Sequence, residues 1–180
     1  MKSLSIRQPW AHLIVRGPKR IENRTWLCSY RGEVAIHASK SMTRGEYDDV
    51  ADMCESFMGL RLPGRSALTF AAIVGVARVV DCVPPGALDK MRALGNEDLF
   101  DWWDQEQHGI VLADVRALAT PVPCSGMLGF WTVPSEVERQ VREQLQPAAI
   151  APAHPVSASA PEDGKSWGLC SSDIDGRRPA

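Results

Sequence analysis

The sequence predicts one α+β domain, a mixed sheet curled toward a small β-barrel with flanking helices. Three observations carry this. Six short stretches read as strands, yet no regular strand–helix–strand alternation links them, which disfavours a doubly wound parallel sheet. Hydrophobic residues make up 44% and charged residues 23% of the 180, ordinary globular values that support one proper core. The composition then changes at Pro147: half of the last 34 residues are Ala, Pro or Ser, with no hydrophobic period. Such a segment cannot bury enough apolar surface to offset its ordering entropy. The expected organisation is a folded domain over 1–146 and a disordered tail over 147–180, with Trp167-Gly168-Leu169 as a short sticky motif.

Taken in order, Leu4–Ile6 reads as a strand. Pro9 sits at a favoured first-turn position, and Trp10, Leu13 and Ile14 form one apolar helical face that stops at Gly17-Pro18. Ile21–Trp26 and Glu33–Ala38 read as extended, with Val34 and Ile36 on one face and His37 on the other. Thr43 and Glu46 form a capping box for a helix to Met58, whose inner face is Tyr47, Val50, Ala51, Cys54, Phe57 and Met58. Phe70–Val83 is a strand apolar on both faces, and Gly75 within it marks a bend or a close backbone approach. Leu88–Gln107 is a polar, partly helical excursion carrying Leu99, Phe100, Trp102 and Trp103. Strands follow at Ile110–Ala119 and Leu128–Val133. Ser135 and Glu138 are placed to cap a last helix with the stripe Val137, Val141 and Leu145.

Several function classes drop out. No apolar run approaches the ~20 residues of a spanning helix, so no membrane association is expected. The N-terminus lacks the apolar core of a secretory signal. Five cysteines, without a CxxC pair, point to free thiols in a reducing cytoplasm. No glycine-rich phosphate loop and no metal-ligand spacing is present, so neither a cofactor nor a metal is expected. The formal net charge of −2 is uneven: the first 44 residues carry nine Lys or Arg against Glu22 and Glu33, a net +7, and the remainder carries −9. A basic third interleaved with Trp10, Trp26 and Tyr30 suits a phosphate backbone with stacked bases, or else separate solvated cations.

Spacing narrows this. Gly17-Pro18-Lys19-Arg20-Ile21-Glu22-Asn23-Arg24 leaves a helix, turns and enters a strand, so Glu22 and Arg24 share a face and Lys19 precedes them in the turn. Mutual attraction is expected to keep Lys19 and Glu22 ionised. Converging ionic groups mark a functional site when they line a cleft, although a plain ion pair reads identically.

The run Leu4-Ser5-Ile6-Arg7-Gln8-Pro9-Trp10-Ala11, followed by Gly17-x-Lys19-x-x-Glu22-x-Arg24, closely resembles the ASCH family (activating-signal-cointegrator homology domains), whose members have a PUA-like β-barrel fold. Tyr30-Arg31-Gly32, Ile36-His37-Ala38-Ser39-Lys40, Ile73-Val74-Gly75-Val76-Ala77 and Cys124-Ser125-Gly126-Met127-Leu128-Gly129-Phe130 are similar to its bacterial and phage branch. The resemblance covers about residues 3–133. It implies a cleft between barrel and first helix that binds RNA or a modified nucleotide. Lys19 and Arg24 would contact phosphate or a base edge. Ser5, Gln8, Glu22 and Ser39 would supply hydrogen bonds, Trp10 or Trp26 a stacking surface, and His37 a cleft wall. Trp10 also reads as helix core, and His37 equally as a satisfied strand histidine.

A second expectation is a hydrolase acting on modified nucleosides or RNA, with Lys19 and Glu22 catalytic. One branch of the family resembles an acetylcytidine amidohydrolase built on Lys, Thr and Glu. Here Lys19 matches the Lys, but Glu22 stands at the Thr position and removes that nucleophile. Thr25 is nearby on the opposite strand face. Glu22 would instead act as general base on water. A protein-interaction role is a third expectation, through the acidic helix 46–55 or the tail. The acidic insert with Trp102 and Trp103 reads as an amphipathic helix or as a lid over the cleft, whose acids would exclude long polyanions.

Overall fold

The computed structural model describes residues 1–146; the tail expected over 147–180 lies outside the described residues. The chain runs β1 (Lys2–Ile6), α1 (Trp10–Val15), β2 (Ile21–Arg24), β3 (Gly32–Ala38), α2 (Arg44–Met58), β4 (Ala72–Val83), α3 (Leu88–Ala93), a 3-10 segment at Glu97–Trp102, β5 (His108–Pro123), β6 (Phe130–Thr132) and α4 (Ser135–Leu145). The six strands form one mixed sheet in the order β2-β5-β4-β3-β1-β6. All pairings are antiparallel except β1 with β3, which runs parallel from Lys2 opposite Val34 to Ile6 opposite Ala38.

This is the α+β architecture expected of a PUA-like domain, a curled half-barrel whose sheet keeps β2 and β6 as edges. The curl has a local cause. Register shifts interrupt the β3–β4 ladder at Ile36/His37 and the β4–β5 ladder at Ile73/Gly75, Val76/Arg78 and Val79/Asp81. Each such irregularity bends its strand and raises the twist. Gly75 is also a close approach: a Cβ there would lie 2.7 Å from Val15 Cγ1 and 2.8 Å from the Arg116 carbonyl, so α1 rests directly on β4.

Strand β4 is buried on both faces, as its sequence requires. Val74, Ala77 and Val79 join Leu4, Ile6, Val34 and Ile36 in one core. Ile73 and Val76 join Ala35, Leu118 and Trp131 in another, closed by Val137, Val141 and Leu145 of α4. A third cluster lies under the insert, where Leu99, Trp102 and Trp103 pack on Leu13, Ile21, Val50 and Cys54.

Helix α2 starts on the expected capping box: the Glu46 amide donates to Thr43 Oγ1 at 3.1 Å, and the Thr43 amide to Glu46 Oε2 at 2.7 Å. Two local expectations fail. Phe57 is 84% exposed rather than part of the inner face, because Gly59 ends the helix in the left-handed region and Met53, Met58 and Leu60 fill the space over Cys54. Helix α4 begins at Ser135 itself and has no side-chain cap. Glu138 pairs with Arg142 at 2.8 Å instead.

Candidate functional site

The site is built on the passage from α1 to edge strand β2. Helix α1 has no capping side chain at Pro9; Gln8 takes that role, its Oε1 accepting from the His12 amide at 3.0 Å and its Nε2 donating to the Thr69 carbonyl at 2.7 Å. At the other end the Lys19 amide closes on the Leu13 carbonyl at 3.1 Å. Arg20 Nη1 donates to the carbonyls of Ile14, Gly17 and Lys19 at 3.1, 2.8 and 3.0 Å, satisfying groups the helix end leaves free. Gly17 is required because a Cβ would stand 2.9 Å from the Leu13 carbonyl oxygen. The tight exit turns Lys19 inward, and strand alternation then sets Glu22 and Arg24 beside it.

The three charged groups form one chain. Glu22 Oε2 lies 3.4 Å from Lys19 Nζ, and Oε1 lies 3.1 Å from Arg24 Nη2. Lys19 Nζ also donates to the Ile21 carbonyl and stands 5.6 Å over the Trp10 ring, at cation–π distance. Arg24 Nη2 donates to the Ser5 carbonyl at 2.6 Å. Lys19 is 2% and Glu22 7% exposed. Burial lowers the Lys19 pKa from its ordinary value; Glu22 pulls it back up, and Arg24 adds a smaller downward push. Desolvation is thus the larger influence on the amine, with the attraction to Glu22 opposing it.

These residues open onto a groove with two hollows that share Trp10 and Glu22. The first, about 410 Å³, is also lined by Lys19, Asn23, Met53, Asp101, Trp102, Trp103, Asp104 and Gln107. The second, about 250 Å³, is lined by Ser5, Arg7, Arg24, Ser39, Met127, Leu128 and Gly129. The structure thus gathers Ser5, Trp10, Lys19, Glu22, Arg24 and Ser39 around one groove. Gln8, Trp26 and His37 line neither hollow. Gln8 is spent on α1 and lines a separate depression with His12 and Arg16. Trp26 packs edge-on against Phe130, centroids 5.7 Å apart.

His37 is 1% exposed, stacked edge-on against Trp131 and covered by Gly126. Its Nε2–H donates to the Cys124 carbonyl at 2.9 Å, which leaves Nδ1 as a lone pair without a partner. Burial lowers the His37 pKa, with the Cys124 contact opposing.

Asn23, Met53 and Gln107 were not singled out from sequence; Asp101 was expected only as one acid of the insert, and Met127-Leu128-Gly129 only as part of a segment that resembles the family. Asn23 was legible in principle, since it sits inside the motif. Its Nδ2 donates to the Trp102 carbonyl at 2.8 Å and its Oδ1 accepts from the Asp104 amide at 3.1 Å, so β2 fastens the insert. Trp102 and Trp103, each 6% exposed, are consequently a packed wall of the first hollow. Among the described residues no group of His, Cys, Asp or Glu is placed to hold a metal ion, and no helix is long and apolar enough to cross a membrane.

A curled α+β half-barrel with a Gly-x-Lys-x-x-Glu-x-Arg signature at its edge strand, opening on a groove beside the first helix, defines a domain class. The family model described as the ASCH domain matches residues 4–121, and the chain belongs to that family. Among curated proteins it is similar to activating signal cointegrator 1 of Mus musculus, 31% identical over 146 residues, which is 79% of this chain and 24% of that protein. The same protein of Homo sapiens is 31% identical over 81 residues, 44% of this chain and 14% of that one. The chain thus spans a quarter or less of the length of these relatives. Among solved structures, the ASCH protein of Zymomonas mobilis aligns with a TM-score of 0.45 at 14% identity, covering 79% of this chain and 93% of that one.

Proposed function

We propose that the protein binds RNA or a nucleotide in the groove beside α1, in a reducing, cytoplasmic setting in keeping with the free thiols of Cys28, Cys54, Cys82 and Cys124. The observation that carries this reading is the convergence of Trp10, Lys19, Glu22 and Arg24 on one open groove, with an aromatic face and charged groups together. Single-stranded nucleic acids are held by this combination: bases stack on aromatic rings while cations and polar groups take phosphates and base edges. Membership of the ASCH family agrees with it.

The test is a titration with a short single-stranded RNA and a panel of modified nucleosides, comparing wild type, Lys19→Ala and Lys19→Met. The second variant fills the space of the buried stem and separates loss of charge from loss of packing. The expected result is RNA binding by wild type that falls about tenfold or more in both variants, because the buried Lys19 charge holds Glu22, and through it Arg24, in place at the groove. No binding, or equal binding by all three proteins, overturns the reading.

Hydrolysis is the second reading, favoured by one observation. An amine whose pKa burial lowers stands 3.4 Å from a buried carboxylate at the wall of a cleft. Glu22 would take a proton from water while Lys19 stabilises developing negative charge. Turnover of any panel member that is lost in Glu22→Gln would place catalysis above binding. Binding without turnover leaves the groove a recognition site.

A further inference from the structure

We propose that the groove is chemically divided and takes one nucleotide unit in a fixed orientation, with an amino-bearing base in the hollow at Asp101 and Asp104 and its phosphate in the hollow at Arg7 and Arg24. This rests on the nucleotide-binding reading and adds base class and polarity to it.

In the first hollow the donor nitrogens of Lys19, Asn23, Trp103 and Gln107 each already have an acceptor. Asn23 Nδ2 is held by the Trp102 carbonyl at 2.8 Å, Gln107 Nε2 by Asp104 Oδ2 at 2.6 Å, and Trp103 Nε1 by the Gln107 carbonyl at 3.1 Å. Lys19 Nζ is divided between the Ile21 carbonyl and Glu22. What remains on offer is acceptor oxygen. Asp101 is exposed and makes no hydrogen bond or ion pair with any described residue, and Asp104 stands exposed beside it. A phosphate placed here would face carboxylates, and the cation that lines the hollow, Lys19, is already paired with Glu22. A base carrying an exocyclic amino group brings the donors that carboxylates lack. Uracil would instead present carbonyl oxygens to them.

The second hollow has the opposite character. Arg24 commits only Nη2, to the Ser5 carbonyl and Glu22. Its Nη1 has no acceptor among the described residues, and its Nε is buried without one. Arg7 is exposed, with one nitrogen on Glu46. Ser5 Oγ accepts from Trp131 Nε1 at 3.1 Å, which leaves its own proton to donate. An arginine with spare nitrogens beside a hydroxyl donor is suited to phosphate oxygens. Trp10 and Glu22 line both hollows, so the sugar that joins base to phosphate must pass them.

The experiment is calorimetric titration of the full chain with cytidine 5′-monophosphate, uridine 5′-monophosphate and cytidine, in wild type, Asp101→Asn and Arg7→Ala. Both substitutions are at exposed positions, and a melting curve checks that each variant folds. Wild type is expected to prefer CMP over both UMP and cytidine, each by about tenfold. Asp101→Asn should bring the CMP-to-UMP ratio toward one and leave the CMP-to-cytidine ratio. Arg7→Ala should do the reverse.

If wild type binds UMP as tightly as CMP, or if both ratios move together in each variant, the division is overturned. Should short RNA bind and weaken in Lys19→Met while neither ratio moves, the division fails and the nucleotide-binding reading stands. Should neither RNA nor mononucleotide bind, that reading fails and the orientation falls with it.

Discussion

Glu22 holds two cations in place, and removing its charge should expose how much of the domain depends on it. Glu22→Gln keeps the shape of the side chain but leaves Lys19 and Arg24 without a counter-charge at 3.4 and 3.1 Å. Breaking one side of a buried ion pair costs about 3–5 kcal/mol. The 3.4 Å contact is long and Arg24 is 25% exposed, so the low end applies, about 3 kcal/mol after allowance for solvent screening at Arg24. For a domain of this size that corresponds to a drop in Tm of about 6–12 °C. Lys19→Met removes the amine yet retains most of its volume over Trp10; it strands the Ile21 carbonyl and should cost about 1–3 kcal/mol. Because the double variant removes both charges, its loss should fall short of the sum by about 2 kcal/mol. Urea unfolding of the wild type, both single variants and the double variant at pH 7 measures this directly. Losses that add to within about 0.5 kcal/mol would show that the two groups do not interact, and the charged chain at the base of the groove would have to be abandoned.

Lys19 also makes a pH signature. Its folded-state pKa is lowered, so the unfolded chain binds the extra proton between that lowered value and the ordinary 10.5, and stability gains with rising pH across that window. Wild type should therefore become more stable relative to Lys19→Met as pH rises toward 10.5; a flat or falling difference in denaturant midpoints contradicts the buried amine. Asn23→Ala removes both ties between β2 and the insert, about 1–3 kcal/mol, and amide exchange should quicken over residues 97–107 well before the rest of the sheet. Gly126→Ala drives a methyl into the His37 ring and to 2.6 Å from Ser5 Oγ, so a loss of about 1–3 kcal/mol is expected by thermal melting, against little change for Gly45→Ala, whose Cβ meets nothing within 4 Å. Few groove cations also mean a shallow salt slope for short RNA, between about −0.7 and −1.5 in log affinity against log salt, the value for one or two phosphate contacts.

The strand and helix pattern was largely legible, because each element announces itself locally. Thr43 and Glu46 mark the start of α2, and the doubly apolar β4 can only be a central strand. Phe57 was misread because helical periodicity says which residues share a face and not how far along the helix the core extends. The motif showed that Lys19, Glu22 and Arg24 would meet, since turn and alternation fix that within eight residues. It could not show Asp101, Gln107 or Met127, which reach the groove only through the insert, seventy-odd residues on, and the β5–β6 loop. Gln8 and His37 illustrate the converse: both sit in segments that resemble the family, yet Gln8 spends its amide on the scaffold and His37 is buried with its Nε2 on the Cys124 carbonyl.

The uneven charge of the chain takes on a different meaning once those atoms are placed. Nine cations in the first 44 residues suggest a basic track, but most of them are structural. Arg16 holds the Leu118 carbonyl, Arg20 closes α1, Arg31 pairs with Asp81 and Arg44 with Asp48, while Lys19 is buried against Glu22. Lys2 and Lys40 line neither hollow, which leaves Arg7 and Arg24 to present positive charge along the second, while the first presents carboxylates. A long polyanion would gain two contacts and meet repulsion a few residues further along. A single nucleotide, polar at one end and anionic at the other, meets neither difficulty. The same edge strand that lacks a neighbour in the sheet is what makes this division: Glu22 and Arg24 serve the groove, while Asn23 between them fastens the acidic insert that forms its other half.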